Sequence, residues 1–371
     1  MTEKGRSTLE LTATLKELCL LPGLSGYEQK VAGYMVEHLS AYTEDVRIDK
    51  AGNAISFFPG AAPSAPKLMV FAHMDQLGFV VRKLEPDGYL RVERLGGVPE
   101  RALPALWVAV QAENGTLVRG VIGIKAHHAT PPEEKYAVTP YGKIYLDVGA
   151  KSAEELRGLG IEVGCPVIYE PSFQEMSNGL VSGTSLDNRG GCAALLLLAE
   201  MLKKTPIEAN IYIVATVQEE YNLRGACLAA EQIHPDAAVA LDIAIAGDTP
   251  DLKDRFDVAL GEGPVMSMYT FHGRGTLNGN IPHPGLVKLF RTAAKKEGIA
   301  LQYSAATGIL TDASYVQLVD GGIPSVDLGF AARYTHSPVE TICIEDLRQL
   351  AELVYCGFSQ VGADTAFCRW T

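Results

Sequence analysis

The sequence predicts an α/β protein with a mostly parallel central sheet flanked by helices and a small inserted β-barrel domain. Three features predict this class. After about residue 171, helices alternate with strands that are apolar along their whole length, and such strands are buried on both faces, as in a parallel sheet. Residues 78–168 instead contain short β-like runs separated by turn signals. Helical and buried-strand patterns stand on both sides of this segment, so it interrupts the larger domain.

The chain length supports two domains. At 371 residues, the chain exceeds the roughly 250–300 residues at which a single hydrophobic core usually stops growing. We therefore expect a discontinuous α/β domain over residues 1–77 and 169–371, and a β-barrel domain over residues 78–168.

The N-terminal elements follow from the spacing of apolar residues. Apolar positions recur at helical intervals over residues 9–40, with a break at residues 22–23. Ser25 followed by Glu28 has the pattern of a capping box, which predicts the start of a second helix. The continuous apolar run 67–72 predicts a buried strand that stops at the next residue.

Turn and capping signals define the later elements. Ser152 followed by Glu155 predicts the start of a helix within the barrel segment. The same segment contains predicted turns at 87–88 and 114–115 and predicted strands at 107–110 and 143–148. The C-terminal part contains predicted helices at 187–204, 224–232, 285–297 and from about 345, and predicted strands at 210–217, 237–243 and 324–329.

Composition excludes several classes of partner. The 44 acidic and 32 basic residues give a net charge of -12, which repels a phosphate backbone, so we expect no nucleic-acid partner. Every apolar run is far shorter than the roughly 20 residues that cross a bilayer, so we expect no membrane span. The seven cysteines lack metal-binding spacing, and the N-terminus lacks the apolar region of a signal peptide. These features predict reduced thiols in a cytoplasmic protein.

Metal-ligating residue types stand where the predicted strands end, which is where open α/β sheets bind their ligands. They are His73 and Asp75, Glu219 and Glu220, Asp242 and His336, with Asp187 added at a helix start. Imidazole and carboxylate groups without a thiolate suit Zn²⁺, Co²⁺ or Mn²⁺. Since five of these groups are carboxylates, their proximity is unfavourable without cations. Two divalent metal ions would relieve this repulsion, as in some aminopeptidases.

Each of these residues also has a purely structural interpretation. His73 and Asp75 can form a hydrogen-bonded pair at a strand end, and Asp187 can cap a helix. Glu219 and Glu220 can lie in a solvated loop. The metal interpretation is favoured because all the groups occur together, at four strand ends and one helix start.

Six motifs resemble those of the M42 family of dinuclear metallo-aminopeptidases, which includes glutamyl and deblocking aminopeptidases. They are Ala72-His73-Met74-Asp75, Leu186-Asp187-Asn188-Arg189, Gln218-Glu219-Glu220, Leu241-Asp242 with Gly247-Asp248-Thr249-Pro250, Thr311-Asp312-Ala313, and Arg333 to Glu340. The resemblance extends over essentially the whole chain. It implies a catalytic α/β domain and a barrel domain used for dimerisation.

The resemblance also implies a ligand set. His73, Asp187 and Asp242 would hold one metal ion, and Asp187, Glu220 and His336 would hold the other, so that Asp187 bridges the two. The ions would be Zn²⁺ or Co²⁺, with Mn²⁺ as a further candidate.

Two further roles follow from the same resemblance. Glu219 would be the general base that takes a proton from the attacking water and passes it to the leaving amine. Asp75 would orient the imidazole of His73 and raise its basicity. The substrates would be short peptides, and the chain would form a homo-oligomer built from dimers, up to a tetrahedral dodecamer.

The chain departs from the family pattern at a few positions, and two other functions stay open. Gln76 stands where the family usually has an acidic residue, and Tyr221-Asn222 stand where it has an aliphatic residue and glycine. One alternative is a non-catalytic or differently specific metal-binding assembly protein of the same fold. The other is a glycoside hydrolase, which would use two facing carboxylates and leave both histidines without a role.

Overall fold

The structure is a computed structural model that describes residues 3–61, 64–273 and 278–369. Its helices are α1 (Glu3–Leu20), α2 (Gln29–Leu39), α3 (Ala153–Gly158), α4 (Leu186–Lys204), α5 (Gly225–Ile233), α6 (Pro284–Glu297), α7 (Ala313–Val316) and α8 (Ile344–Phe358). Its strands are β1 (Val46–Ile48), β2 (Ala54–Phe58), β3 (Lys67–His73), β4 (Gly78–Leu84), β5 (Tyr89–Leu95), β6 (Trp107–Gln111), β7 (Leu117–Ile122), β8 (Leu146–Asp147), β9 (Pro166–Tyr169), β10 (Phe173–Glu175), β11 (Leu180–Gly183), β12 (Asn210–Thr216), β13 (Ala237–Ile245), β14 (Val265–His272), β15 (Asn278–Asn280), β16 (Gln302–Thr307), β17 (Ser325–Arg333) and β18 (Glu340–Cys343).

The central sheet confirms the predicted α/β class. Its strands lie in the order β1-β2-β12-β3-β13-β17-β18-β11-β10, with β14 to β16 branching from β17. The four central strands, β12, β3, β13 and β17, run parallel, whereas the flanking strands β2 and β18 pair antiparallel with them. The parallel strands therefore end at one common edge of the sheet.

Both faces of the central strands are buried, as the continuous apolar runs predict. In β3, Leu68 and Val70 pack into a core formed with α1, α2, α4, α6 and α8. Met69 and Phe71, on the opposite face, pack against α5 and α7. The sheet is thus covered by helices on both sides, and side chains can meet a ligand at the carboxyl ends of its parallel strands.

The inserted segment forms a closed barrel in the strand order β4-β5-β8-β7-β6-β9. Its interior is filled by apolar side chains, including Phe79, Val92, Val108 and Leu146. Gly78 at the start of β4 pairs with Leu95 at the end of β5. This antiparallel pairing returns the end of β5 to the point where the chain leaves β3 and enters the barrel.

Two of the local predictions need correction. Ser25 and Glu28 do not form a capping box, because Ser25 Oγ donates to Asp75 instead and the cap residue Glu28 makes no capping side-chain bond to α2. The predicted strand at 143–148 is reduced to the two residues of β8. The predicted helix start at Ser152 is confirmed, since Ser152 Oγ accepts from the amide of Glu155 at 3.2 Å.

No helix among the described residues is both long and apolar enough to cross a membrane.

Candidate metal centre

The seven residues predicted to form the site meet at the edge where the parallel strands end. β3 ends at His73, β13 contains Asp242, and α4 begins beside Asp187. The loop after β12 supplies Glu219 and Glu220, the loop after β17 supplies His336, and Asp75 follows β3. Two groups of side chains result, His73 with Asp187 and Asp242, and Asp187 with Glu220 and His336. In each group the candidate ligand atoms lie within 4.8 Å of one another.

The first group is buried within the sheet edge. His73 Nε2 lies 3.1 Å from Asp187 Oδ1 and 3.9 Å from Asp242 Oδ1. The other ring nitrogen of His73, Nδ1, lies 3.1 Å from the main-chain oxygen of Asp75, with the Asp75 carboxylate at 3.5 Å. A hydrogen bond from Nδ1 to this carbonyl leaves Nε2 as the atom that can bind a metal ion.

The second group is half-buried and uses the opposite oxygen of the shared aspartate. His336 Nε2 lies 3.7 Å from Asp187 Oδ2 and 4.0 Å from Glu220 Oε1. His336 Nδ1 lies 2.9 Å from the main-chain oxygen of Gly97 in the barrel segment. Because Oδ1 and Oδ2 of Asp187 face different groups, this residue is placed to bridge two cations.

Glu219 belongs to neither group but stands beside the first. Its Oε2 lies 3.9 Å from His73 Nε2. Burial raises the pKa of Glu219 well above its usual value; the charge of His73 opposes this rise, and the charges of Glu220 and Asp242 add to it. A raised pKa makes this carboxylate a stronger base, and because Glu219 lies outside both ligand groups it is placed to accept a proton.

The electrostatics of the two groups fit a pair of divalent cations. Burial raises the pKa of Asp242 well above its usual value, and the charge of Asp187 adds to this. Burial likewise raises the pKa of Glu220 to about 7. The carboxylates therefore repel one another and lack sufficient positive charge from the protein alone. Metal ions would supply that charge, and the oxygen and nitrogen donors are those that Zn²⁺, Co²⁺ and Mn²⁺ accept.

Asp75 does more than face His73. Its Oδ1 accepts the amide hydrogen of Glu219, and its Oδ2 accepts that of Glu220, both at 3.0 Å. Ser25 also donates its hydroxyl to Oδ2. The carboxylate thus fixes the main chain of the Glu219-Glu220 pair as well as lying against the imidazole.

Glu340 makes a similar pair of bonds on the other side of the site. Its Oε2 accepts the amide hydrogen of Asp187 at 3.0 Å, and its Oε1 accepts that of His336 at 2.7 Å. His336 has a left-handed backbone with φ of 67°, which is uncommon for a residue other than glycine. In the sequence Glu340 is only the last residue of a motif, because nothing in its spacing shows from which distant amides it accepts hydrogen bonds.

The departures from the family pattern are accommodated without displacing a ligand. Asn222 adopts φ of 73°, as expected of an asparagine in place of glycine. The side-chain oxygen of Gln76 accepts from Arg189 Nη2 at 3.3 Å and from the amide of Gly23 at 3.2 Å. Arg189 is fully buried, and Gln76 gives it a neutral partner where an acid would give an ion pair.

Comparison with known proteins shows the family of the chain. The family model described as M42 glutamyl aminopeptidase matches residues 52–353. The lysyl aminopeptidase of Pyrococcus furiosus is 35% identical over 344 residues, which cover 91% of this chain and 94% of that protein.

Solved structures show the same likeness over nearly the full length. An aminopeptidase from the archaeon Desulfurococcus kamchatkensis superposes with a TM-score of 0.90 at 32% identity, covering 96% of each chain. The TET1 peptidase of Pyrococcus horikoshii, which can assemble into a tetrahedron or a large octahedral shell, superposes with a TM-score of 0.82 at 29% identity. That match covers 94% of this chain and 99% of the other.

Proposed function

The chain belongs to the M42 glutamyl aminopeptidase family and is an aminopeptidase, and we propose that it removes N-terminal residues from short peptides with two divalent metal ions. One observation carries this proposal. The two carboxylate oxygens of Asp187 face two separate ligand groups, while Glu219 stands beside them without belonging to either.

The proposed ligands divide between the two positions. His73, Asp187 and Asp242 would hold one ion, and Asp187, Glu220 and His336 would hold the other. Zn²⁺, Co²⁺ and Mn²⁺ suit this donor set. When bound, such ions supply Lewis acidity for the peptide carbonyl and lower the pKa of water.

The remaining chemistry belongs to side chains of the protein. Glu219 would accept a proton from the attacking water at its carboxylate and then deliver that proton to the nitrogen of the leaving peptide. Asp75 would keep Glu219 in place through its bond to the Glu219 amide. It would also hold the His73 ring in orientation, since Asp75 lies against Nδ1.

We further propose the assembly and location of the enzyme. Residues 78–168 would form the dimerisation domain of a homo-oligomer, up to a tetrahedral dodecamer, and residues 1–77 and 169–371 the catalytic domain. The likeness to the Pyrococcus horikoshii TET1 peptidase supports this assembly. A cytoplasmic location is proposed from the sequence, whose seven cysteines are odd in number and scattered.

Metal reconstitution tests the proposed function. Metal-stripped protein is mixed with aminoacyl chromogenic substrates, short peptides or an oligosaccharide, with and without Zn²⁺ or Co²⁺, and release of the first residue or cleavage of the oligosaccharide is followed. We expect hydrolysis only with metal and uptake of two ions per chain. Full metal uptake without release of any residue would favour the non-catalytic alternative, and metal-independent cleavage of an oligosaccharide would favour a glycosidase.

A further inference from the structure

The turn that follows β5 lies directly against the second ligand group. The main-chain oxygen of Gly97 accepts a hydrogen bond from His336 Nδ1 at 2.9 Å. With Nδ1 protonated and bound in this way, Nε2 carries the free lone pair. That nitrogen faces Asp187 and Glu220, so a residue of the barrel fixes the orientation of a candidate metal ligand in the α/β domain.

The two glycines of this turn leave no room for side chains. A Cβ atom at Gly97 would lie 2.8 Å from His336 Nδ1 and 3.0 Å from its Cε1. A Cβ atom at Gly96 would lie 2.7 Å from Leu77 Cβ and 3.1 Å from Glu220 Oε2. Gly96 also has φ of +84°, a backbone conformation that favours glycine. Glycine therefore allows the main chain to approach two candidate ligands at once.

The barrel topology places the turn here. Gly78 pairs with Leu95, so Gly96 comes to lie against Leu77, four residues after His73 in the sequence. Tyr169 is the last residue of barrel strand β9, one position beyond the predicted 78–168 segment, and it also reaches the site. The hydroxyl of Tyr169 donates to the main-chain oxygen of His336 at 3.3 Å, and its buried ring packs edge-on against Phe79 at 6.5 Å between centroids.

The first ligand group is supported differently. His73 Nδ1 lies against the main-chain oxygen of Asp75, which belongs to the loop directly after β3. His73 is 2% exposed, whereas the side chain of His336 is 36% exposed. The first group is thus held by the sheet edge itself, and the second is completed by contact with the barrel.

We propose that the Gly96-Gly97 turn is a positioning element for the metal position formed by Asp187, Glu220 and His336. It orients the His336 ring and preserves the space that Glu220 occupies, so affinity at this position depends on the barrel. Affinity at the position formed by His73, Asp187 and Asp242 depends on the turn far less. This inference rests on the proposed binding of two metal ions.

The test compares Gly97→Ala with the matched control Gly142→Ala. Gly142 also lies in the inserted segment, and an added Cβ there would meet nothing within 4 Å. Metal-stripped full-length proteins are titrated calorimetrically with Zn²⁺ and with Co²⁺, and thermal unfolding is recorded in the absence of metal. We expect wild type and Gly142→Ala to bind two ions. Gly97→Ala should keep one affinity and lose about 10- to 100-fold in the other.

Several outcomes would overturn the inference. Unchanged affinity for both ions in Gly97→Ala would show that the turn does not position His336. An equal loss at both positions, in parallel with a fall in thermal stability, would show a general structural defect. Wild-type protein that binds fewer than two ions would contradict the dinuclear proposal before any variant is compared.

A second variant keeps the test usable if Gly97→Ala does not fold. Tyr169→Phe removes only the hydroxyl that donates to the His336 carbonyl. It should weaken the same metal position by a smaller factor and leave the other affinity at the wild-type value. Loss at the other position instead would contradict the proposed role of the barrel.

Discussion

The two ligand groups share Asp187 but are built in different ways. The group of His73, Asp187 and Asp242 is buried, and its residues lie at the end of β3, at the start of α4 and within β13. The group of Asp187, Glu220 and His336 is more open and contains a histidine with a left-handed backbone. It also depends on a hydrogen bond to the barrel. The first ligand group is therefore formed within the α/β domain, whereas the second also requires the contact between that domain and the barrel.

The largest effect is expected at Glu219, the proposed general base, which belongs to neither ligand group. Glu219→Gln preserves the size of the side chain but removes its ability to accept a proton. We expect kcat to fall by about 10²- to 10⁴-fold, with both metal affinities close to wild type. Steady-state kinetics and metal analysis of the purified variant measure this. An exposed control, Glu231→Gln, should keep full activity, and full activity in Glu219→Gln would show that the base is another residue.

The next prediction separates the two histidines. His73→Ala leaves a buried gap among carboxylates, so it should remove the first ion and also lower the stability of the metal-free protein, by about 1–3 kcal/mol. His336→Ala removes a half-exposed ring and should lose the second ion with a smaller change in stability. Metal titration and urea unfolding of both variants measure the difference. Equal destabilisation by the two substitutions would contradict the prediction that the buried group contributes more to stability than the open group.

Glu340 accepts hydrogen bonds from the amides of Asp187 and His336, so its substitution acts on the ligands indirectly. Glu340→Gln replaces one of the two acceptor oxygens by an NH₂ group, which cannot accept a hydrogen bond. Only one of the two amides, that of Asp187 or that of His336, then keeps its acceptor. An unsatisfied buried amide costs about 1–3 kcal/mol, so the urea midpoint should fall. The affinity for the second ion should weaken as well. Unchanged unfolding and unchanged affinity would show that the two bonds contribute nothing measurable.

The last prediction concerns the pH dependence of the metal-free protein. Burial raises the pKa of Glu220 from 4.5 to about 7. Burial opposes a rise at His336, but the charges of Glu220 and Asp187 raise its pKa from 6.5 to about 9. In both cases the folded state binds more protons than the unfolded state between the two values, so stability falls as pH rises through about 4.5 to 9.

Thermal unfolding across this range measures that effect with and without metal. Saturating Zn²⁺ should flatten the profile, because bound cations replace the protons as the source of positive charge. A metal-free midpoint that rises with pH would contradict the electrostatics of the second group.

Much of the site could be predicted because each of its residues has a local signal. His73 is the last residue of β3 and Asp242 lies within β13, three residues before its end, and the apolar runs that predict those strands are visible in the sequence. The antiparallel flanks of the sheet and the branch of β14 to β16 carried no such signal. Such strands are formed by pairing with distant neighbours, and local periodicity does not report that pairing.

The hydrogen bonds that hold the site residues in place could not be predicted in this way. Asp75 could be assigned to His73 from its position two residues away, but its bonds to the amides of Glu219 and Glu220 cross 144 and 145 positions of sequence. Ser25 could be read as a helix cap, yet it donates to Asp75. A hydroxyl near a helix start has several possible acceptors, and packing decides among them.

The sequence by itself determined the α/β class, the inserted barrel and the residue types at the strand ends, because these depend on periodicity and on the common edge of parallel strands. Only the tertiary structure decided which groups hold those residues in place. The bond from His336 to Gly97 joins residues 239 positions apart in two different domains. Such a contact depends on how the closed barrel sits against the sheet edge, and that is fixed by the packing of the whole chain.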